Sequence, residues 1–319
     1  MCGIAGKVYL KFGEIDERSL ALMSNKIAHR GPDDQGVYIS SDKKVGLVHR
    51  RLAIIDLTAS GHQPMNYLNK YWITFNGEIY NFGEERGKLE KYGYKFRSKS
   101  DTEVILALYD KWGVKCVDHL RGMFAFAIYD IRKQIIFLAR DRVGKKPLKY
   151  FFNSEIFAFA SELKALLTLP EIKTELDIDV LETYLAYGYV PAPQTGFKNI
   201  YKLEPGHYLT LDLQHKTLNK HCYWEIDFTK KLELSENEWK IKILQTLEES
   251  IRLRMISDVP IGAFLSGGVD SSSIVAMMTK LSAKPIKTFT IGFSEAQYDE
   301  SKYDQIVSDI FHTQHTVLQ

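Results

Sequence analysis

The stretch MCGIAGKVYL (residues 1–10) decides how the first part of this 319-residue chain is interpreted. From Gly3 onward it is rich in apolar and β-branched residues, which predicts the first β-strand. Cys2 stands directly before that strand, although chain ends tend to fray and tolerate change. Two interpretations are open: a small apolar residue that starts the strand, or a reactive thiol. Removal of Met1 would place the thiol and an α-amino group on the same residue.

Strand patterns of the same kind continue along the chain. They are short and rich in β-branched and aromatic residues, and they comprise GVYIS (36–40), KVGLVHRRLAIID (44–56), YWITFNGEIY (71–80), FAFAIYD (124–130), QIIFLARD (134–141) and FFNSEIFAFA (151–160). Helical periodicity occurs in residues 19–31 and 101–113, and Ser100 with Glu103 predicts a capping box for the second helix. Many strands with few helices predict a layered α+β domain, which KLEPGHYLTLD (202–212) closes as a hairpin.

From about residue 225 onward, helices and strands alternate. A helix with Ser235 and Glu238 as a capping box precedes VPIGAFL (259–265), which we interpret as a buried strand. SGGVDSSSIVAMMTKLS (266–282) forms a glycine loop that runs into a helix, and two further strands follow. This alternation predicts an α/β domain with a parallel sheet and right-handed crossovers, although three strands leave such a domain incomplete.

Length and composition bound the class of protein. The length suggests two domains, which we place at residues 2–225 and 226–319. With 45% hydrophobic residues and a net charge of +2, the chain fits a globular protein for which we expect no nucleic-acid or membrane partner. Three cysteines fit a reducing compartment, and we find neither a signal peptide nor an apolar run of about 20 residues, so we expect a cytoplasmic protein. The sequence does not set the oligomeric state, and a homodimer is one option.

We interpret RDRVGKK (140–146) as a solvated loop.

The segment SGGVDSS (266–272) predicts a phosphate site, because it joins a strand to a helix N-terminus where backbone N–H groups and the helix dipole attract anions. Its two glycines allow close approach of the backbone, and its serines add hydroxyl donors. It lacks the lysine of the GxxxxGK[ST] loop, which favours a pyrophosphate held by N–H and hydroxyl groups. Asp270 is the candidate Mg²⁺ ligand, since that ion is shared between carboxylate and phosphate oxygens. The alternative is an ordinary glycine turn with a serine cap.

Other polar residues bear on the interpretation of Cys2. An α-amine, with a pKa of about 8, is a plausible base for a thiol on the same residue. Arg51 can bind a carboxylate, Glu78 and Asp101 can hold an ammonium group, and Asn76 with the Gly77 N–H, in a turn after a strand, can form an oxyanion hole. Each residue also has a simpler interpretation. Cys2 could be a buried structural cysteine, Arg51 a surface charge, the segment from Asn76 to Glu78 a hairpin turn, and Asp101 a helix cap.

Eight segments carry a resemblance to a known family. MCGIAG, HRGPDDQG, HRRLAIID, FNGEIYN, SDTEVILALY, GMFAFAIYD, RDRVGKKPL and SELKAL stand in the order found in class II glutamine amidotransferases. SGGVDSS resembles the pyrophosphate loop of N-type ATP pyrophosphatases. Joined in this order, the two parts resemble the glutamine-hydrolysing asparagine synthetases over essentially the whole chain.

The resemblance implies a fold and a set of site residues. It implies an Ntn-hydrolase-like αββα sandwich, followed by an adenine-nucleotide α-hydrolase-like α/β domain. Cys2 would be the nucleophile, Arg51, Glu78 and Asp101 would bind glutamine, and Asn76 and Gly77 would form the oxyanion hole. The implied ATP-binding residues are Leu265, Ser266, Gly267, Gly268, Val269, Asp270, Ser271, Ser272, Ile291 and Gly292.

The resemblance also implies a reaction in two halves. Glutamine is hydrolysed through a thioester on Cys2, and the ammonia passes internally to aspartate that ATP and Mg²⁺ have activated, giving asparagine, glutamate, AMP and pyrophosphate. The family's second nucleotide motif, a Gly-Glu-Gly-Ser/Ala-Asp-Glu run, does not occur in this sequence, and its aspartate-binding residues would follow Gln319. We therefore expect a chain truncated at its C-terminus that retains only the glutaminase step. Two alternatives stay open: an amidotransferase for another carboxylate, and a non-catalytic binder of glutamine or nucleotide.

The remaining cysteines and histidines give no metal prediction. Cys116 falls on a helix and is expected to pack in the core. Cys222 with His221, and His312 with His315, lack further ligands at a suitable spacing.

Overall fold

A computed structural model describes residues 1–295 and 301–318 of the chain. The chain divides into two compact units, Met1–Ile226 and Asp227–Gln319. Among the described residues, no helix combines the length and apolar character that crossing a bilayer requires.

Two six-stranded antiparallel sheets form the centre of the first unit. The first sheet contains, in spatial order, β10 (Ile200–Lys202), β8 (Lys149–Phe152), β9 (Ile156–Ala160), β1 (Gly3–Tyr9), β3 (Val45–Arg51) and β2 (Asp34–Ile39). The second contains β12 (Thr217–Cys222), β11 (His207–Asp212), β7 (Ile135–Arg140), β6 (Gly122–Asp130), β5 (Tyr71–Ile79) and β4 (Met65–Tyr67).

Helices cover the outer face of each sheet. Helices α1 (Glu17–Lys26) and α4 (Leu163–Leu166) pack on the first sheet, and α2 (Phe82–Lys91) and α3 (Asp101–Trp112) pack on the second. A third apolar cluster lies between the sheets and includes Ile4, Leu47, Ala127 and Leu138. The short helix α5 (Leu181–Tyr187) completes the helices of this unit. The order of layers is helix, sheet, sheet, helix, so the predicted αββα sandwich is confirmed.

Strand β1 lies inside the first sheet, between β3 and β9, and nearly all of its residues are buried. Its interior position follows from its composition, because a strand covered on both faces can be apolar throughout. The one long polar side chain, Lys7, is paired through its Nζ with Glu171 Oε1 at 2.7 Å. The first strand is therefore anchored along its length, which fixes the residue just before it.

Three local predictions in the first unit were wrong. Asn76–Glu78 lie inside β5 and not in a turn after it. Residues 202–212 do not form a hairpin; they lead from β10 in the first sheet to β11 in the second, and β11 forms the hairpin with β12. Ser100 caps α3 by accepting the Thr102 N–H, but the Glu103 carboxylate accepts the N–H groups of Arg97 and Ser98, so no capping box forms.

The second unit contains a parallel three-stranded sheet, as predicted. Its strands are β13 (Gly262–Phe264), β14 (Lys287–Ile291) and β15 (Gln314–Leu318) in that spatial order, and its helices are α6 (Glu236–Arg254), α7 (Val269–Leu281) and α8 (Ser301–Phe311). The capping box of Ser235 and Glu238 is present at the start of α6. The expectation of a buried strand at 259–265 was wrong, since β13 spans three residues and Phe264 is 79% exposed.

Candidate active site

A cavity of about 140 Å³ in the first unit is lined by all six residues predicted for the glutamine site. Cys2 precedes β1, Arg51 ends β3, Asp101 begins α3, and β5 supplies Asn76, Gly77 and Glu78. The sheets and α3 thus bring together residues that are up to 99 positions apart in the sequence. Gln63 and Lys146 also line the cavity, and neither was predicted as a site residue from the sequence.

Cys2 is held in place although it lies near the chain end. Its Sγ lies 3.6 Å from the Leu52 carbonyl oxygen and 3.4 Å from the Leu52 backbone nitrogen, and its carbonyl oxygen accepts a hydrogen bond from Arg30 Nε at 2.9 Å. Arg30 in turn binds Glu162 at 2.9 Å. Burial opposes ionisation of Glu162, but the hydrogen bonds from Arg30, Lys164 and His29 prevail and bring its pKa to about 2, so the anchor stays charged at neutral pH.

The thiol needs a base before it can attack a carbonyl carbon. Burial raises the pKa of the Cys2 thiol, which keeps it protonated at neutral pH. The terminal amino group also lines this region, and burial lowers its pKa while the nearby Cys2 opposes that effect. That amino group belongs to Met1 in the full sequence, and it would belong to Cys2 once Met1 is removed.

Asn76 is fully buried, and within the described residues neither its Oδ1 nor its Nδ2 has a hydrogen-bond partner. Buried amides are almost always paired, because the lost interaction with water costs about 1–3 kcal/mol when nothing replaces it. The Asn76 side chain therefore indicates a group that occupies the cavity during function.

Gly77 presents its backbone N–H to the same cavity. Tyr80 donates its N–H to the Arg121 carbonyl oxygen at 2.7 Å, towards the side of β6. Because successive N–H groups of a strand point to opposite edges, the N–H groups of Phe75, Gly77 and Ile79 point away from β6. A Cβ at Gly77 would clash with the Met123 carbonyl oxygen, so only glycine allows this close pairing. Asn76 and Gly77 therefore bring two N–H donors to the same cavity, one from an amide side chain and one from the backbone.

Arg51 is buried, so its alternative interpretation as a surface charge was wrong. Its Nη1 donates to the Thr58 carbonyl at 3.0 Å, and its Nη2 donates to the carbonyls of Ile55 and Asp56. The guanidinium thus holds the loop after β3 closed over one wall of the cavity. Five N–H donors in a planar fork leave it able to bind a carboxylate as well.

Glu78 and Asp101 supply two carboxyl groups to one small cavity. Burial raises the pKa of Glu78, and burial together with the Glu78 charge raises the pKa of Asp101 to about 6. Asp101 is not the helix cap, a role that Ser100 has, and its Oδ2 accepts the Ile79 N–H at 2.9 Å. The buried Asp101 and the half-buried Glu78 bring two carboxyl groups together, which favours the binding of a cation such as an ammonium group.

The interpretation of RDRVGKK (140–146) as a solvated loop was wrong. Asp141 is fully buried, and its carboxylate accepts the backbone N–H groups of Phe124, Val143, Lys145 and Lys146 at 2.9–3.2 Å. This clamp directs the Lys146 side chain into the cavity, where burial lowers its pKa and the Glu78 charge opposes that effect. The signal in the sequence was the aspartate before a glycine turn, a pattern in which the carboxylate binds the next backbone N–H groups.

In the second unit, the predicted phosphate loop connects β13 to α7. Gly268 is the helix N-cap with no side-chain cap, so the alternative of a serine-capped turn was wrong. Ser271 Oγ lies 3.2 Å from the backbone nitrogen of Ser266, and Ser272 Oγ is buried without a partner among the described residues. The remaining residues predicted to bind ATP are Leu265, Gly267, Val269 and Asp270 in the same loop and turn, and Ile291 and Gly292 at the carboxyl end of the neighbouring strand β14.

The αββα fold with a cysteine directly before its first strand fits the class II glutamine amidotransferases. The profile of the family described as "Glutamine amidotransferase domain" matches residues 1–224, and the chain belongs to this family. A second profile, "Asparagine synthase", matches residues 242–319.

Curated relatives share both regions. The chain is 42% identical to the putative glutamine-hydrolysing asparagine synthetase 2 of Methanocaldococcus jannaschii over 99% of its own length and 64% of that protein. It is 38% identical to asparagine synthetase 1 of Bacillus subtilis, over 94% of this chain and 47% of the relative. It is 34% identical to the amidase chry2 of Gibberella zeae, over 89% of this chain and 44% of the relative. The chain therefore spans about half to two thirds of the length of these relatives.

Solved structures support the same fold. Glutamine phosphoribosylpyrophosphate amidotransferase from B. subtilis superposes with a TM-score of 0.51 at 16% identity, covering 99% of this chain and 65% of that one. At such low identity the match shows the fold alone.

Proposed function

We propose that the first unit hydrolyses glutamine to glutamate and ammonia, with Cys2 as the nucleophile. The observation that carries this proposal is the buried Asn76 amide, which has no hydrogen-bond partner in the part of the chain that the structure describes and lies in the cavity that Cys2 also lines. Around it stand the other groups that an α-amino acid needs, a guanidinium at Arg51 and two carboxyl groups at Glu78 and Asp101.

The substrate is oriented by its charged ends. Arg51 binds the α-carboxylate of glutamine, and Glu78 and Asp101 bind its α-ammonium group. The side-chain amide then points towards Cys2, and its oxygen is directed to Asn76 Nδ2 and the Gly77 N–H. These two donors stabilise the negative charge that develops on the oxygen in the tetrahedral intermediate.

Proton transfer follows from the environment of the thiol. The neutral α-amine of Cys2, exposed after removal of Met1, accepts the thiol proton as sulfur attacks the amide carbon. The same amine returns this proton to the leaving nitrogen, so ammonia departs and a thioester remains. Water then attacks the thioester, giving glutamate and the free thiol.

For the ammonia, we propose transfer to aspartate activated by ATP, as in an asparagine synthetase. The support is the loop at residues 265–272, its match to the asparagine synthase profile, and the synthetase relatives. Asp270, in the first turn of α7, would hold Mg²⁺ together with phosphate oxygens, since one carboxylate plus phosphate is a usual ligand set for this ion. We propose the cytoplasm as the compartment, in keeping with the free cysteines Cys2, Cys116 and Cys222, and a homodimer stays a prediction.

A second acceptor is favoured by one specific observation. The relative named amidase chry2 shares the same two regions at 34% identity, so this architecture occurs in a protein that is not named as an asparagine synthetase. Amination of another carboxylate is therefore the alternative for the second unit. In a protein that joins this chain to a complete synthetase domain, substrate-dependent pyrophosphate release with a panel of carboxylic acids in place of aspartate would separate the two acceptors.

Glutamate release from purified chain tests the glutaminase. We expect activity in the unmodified protein and none in Cys2→Ala, while Cys2→Ala still binds glutamine, because the binding groups lie on other residues. Cys116→Ala is the matched control and should retain activity, since Cys116 lies in the core outside the cavity. Equal glutamate release by the unmodified and Cys2→Ala proteins would overturn the proposal.

The state of the N-terminus is tested on the same samples. Intact-mass measurement should show that active protein begins at Cys2. An active glutaminase that retains Met1 would show that the α-amine is not the base.

A further inference from the structure

Gln63 lines the cavity, yet the mechanism above gives it no role. Its side chain is buried, and both ends of its amide are paired. Oε1 accepts the backbone N–H of Phe75 in β5 at 2.7 Å, and Nε2 donates to Thr102 Oγ1 in α3 at 3.1 Å. Gln63 therefore connects the strand that carries the oxyanion donors to the helix that carries Asp101.

The contact to Phe75 completes a row of donors on one edge of β5. Along this edge, Tyr71 and Ile73 pair with Tyr67 and Met65 of β4. Strand β4 ends there, and the Gln63 amide oxygen provides the acceptor for the next N–H, that of Phe75. Beyond it, Asp101 Oδ2 accepts the N–H of Ile79. Gly77 lies between these two occupied positions and faces the cavity.

The contact to Thr102 fixes the other end. Thr102 is buried and follows Asp101 directly, and its own N–H is held by Ser100 Oγ at 3.1 Å. Two connections therefore join β5 to the start of α3 on either side of Gly77. One is the bond from the Ile79 N–H to Asp101 Oδ2, and the other is Gln63, which binds Phe75 and Thr102 at the same time. With both in place, the separation between the Gly77 N–H and the Asp101 carboxyl cannot change without breaking a hydrogen bond. The groups left without a partner, on Phe75 and Thr102, would be buried, so breaking these hydrogen bonds costs free energy.

We propose that Gln63 is a positioning residue that sets the distance between the oxyanion donors and the ammonium-binding carboxyls, and so selects glutamine over asparagine. This inference rests on the proposed glutaminase function. Asparagine carries the same charged ends and the same amide, but its chain is one methylene shorter. A site of fixed length rejects it, whereas a site whose two halves can shift does not, since a displacement of about 1 Å can cost about 100-fold in rate.

The test compares Gln63→Met, which keeps the shape and loses both hydrogen bonds, with Gln63→Glu, which keeps an acceptor for Phe75 and for the Thr102 hydroxyl. For Gln63→Met we expect kcat/KM for glutamine to fall about 10- to 100-fold, with both kcat and KM affected. Its preference for glutamine over asparagine, measured by ammonia release, should fall by a similar factor. Gln63→Glu should retain most of the activity and of the preference.

Asn81→Leu is the matched control. Asn81 is a buried amide that also makes two backbone hydrogen bonds, to Arg121 N and His119 O, but it does not line the cavity. Asn81→Leu should lower the stability of the protein as much as Gln63→Met does, and it should leave the preference for glutamine over asparagine unchanged. A Gln63→Met protein that loses stability but keeps the full preference would show that Gln63 is merely structural.

Binding measurements separate this inference from the proposed function. In the Cys2→Ala background, calorimetry with glutamine and with asparagine reports selection without any chemistry. If the unmodified chain does not hydrolyse glutamine, the proposed function fails. If Gln63→Met in that background leaves the ratio of the two dissociation constants unchanged, the positioning role fails, whatever the hydrolysis assay gives.

Discussion

At the scale of single residues, Asn76 and Arg51 are expected to affect different kinetic constants. In the proposed mechanism, Asn76 Nδ2 acts mainly on the charge that develops in the transition state, so Asn76→Ala should lower kcat about 10²- to 10³-fold with little change in KM. Arg51→Lys keeps the charge but loses the planar fork, so it should raise KM more than it lowers kcat. Steady-state glutaminase kinetics on both variants check this, and an increase in KM alone for both would contradict the assigned roles.

Asp101 links the stability of the fold to pH. Its pKa in the folded protein, about 6, lies above the ordinary value of 3.8 because the group is buried beside Glu78. The folded state therefore binds the proton more tightly, and the ionised carboxyl destabilises the fold increasingly as the pH rises from about 4 to about 6.

Asp101→Asn should consequently stabilise the protein at pH 8, on the order of 1–3 kcal/mol, with a smaller gain at pH 5. The same variant should bind glutamine at least about 10-fold more weakly, because an amide cannot pair with the α-ammonium group. Urea unfolding at pH 5 and pH 8, together with KM, checks both statements. Equal stability changes at the two pH values would show that the Asp101 charge does not destabilise the fold.

At the scale of elements, the loop at residues 140–146 depends on one carboxylate. Asp141→Asn replaces an acceptor of four backbone N–H groups by an amide that repels some of them, and we expect a loss of roughly 2–4 kcal/mol of stability. Glutaminase activity should fall as well, because Lys146 then leaves its place in the cavity.

The control for this loop is Asp212→Asn. Asp212 accepts the N–H groups of Gln214 and His215 in the exposed β11–β12 hairpin, far along the chain from any cavity residue. We expect less than about 1 kcal/mol of destabilisation and unchanged kinetics. Urea midpoints and kcat/KM are measured for Asp141→Asn and Asp212→Asn. Loss of activity in the first variant alone would show that the loop at residues 140–146 shapes the site, whereas the β11–β12 turn does not.

How far the sequence predicted these elements depended on whether the decisive interaction was local. The strand at residues 3–9 and the cap at Ser235 follow from pattern and spacing, which the sequence displays directly. Asn76–Glu78 looked like a turn because Asn-Gly is a turn signal, but pairing with β6 over nine residues overrides it. Glu103 accepts the N–H groups of Arg97 and Ser98 instead of completing the cap, an alternative that the spacing of a capping box does not exclude. The turn at Asp141 has a local signal, but the burial of Asp141 depends on contact with Phe124 in another strand, which that signal does not show.

At the scale of the whole molecule, the two units differ in how well they bury their apolar surface. The first unit has three buried apolar layers, whereas in the second Phe264, Ile291 and Leu318 of the sheet are mostly exposed. We predict that a polypeptide of these 319 residues releases glutamate from glutamine but forms no asparagine, and that it binds ATP weakly. Exposed sheet surface should also make it associate at high concentration.

Glutamate, asparagine and pyrophosphate are measured with glutamine, aspartate, ATP and Mg²⁺, and light scattering reports association. Formation of asparagine and pyrophosphate in equal amounts by this polypeptide alone would show that the second unit is already competent. Residues 1–226 give a useful comparison, since glutamate release by them should match that of the whole chain.

Met1 is 56% exposed and lines the cavity, so the proposed mechanism links the timing of activity to the removal of this one residue. If the base is the α-amine of Cys2, newly translated protein is an inactive precursor until an aminopeptidase removes the initiator methionine. Glutaminase activity would then report on cotranslational processing and not on the amount of protein alone. Overproduction that outpaces the host aminopeptidase should give full-yield protein with low specific activity, and an affinity tag fused ahead of Cys2 should give none.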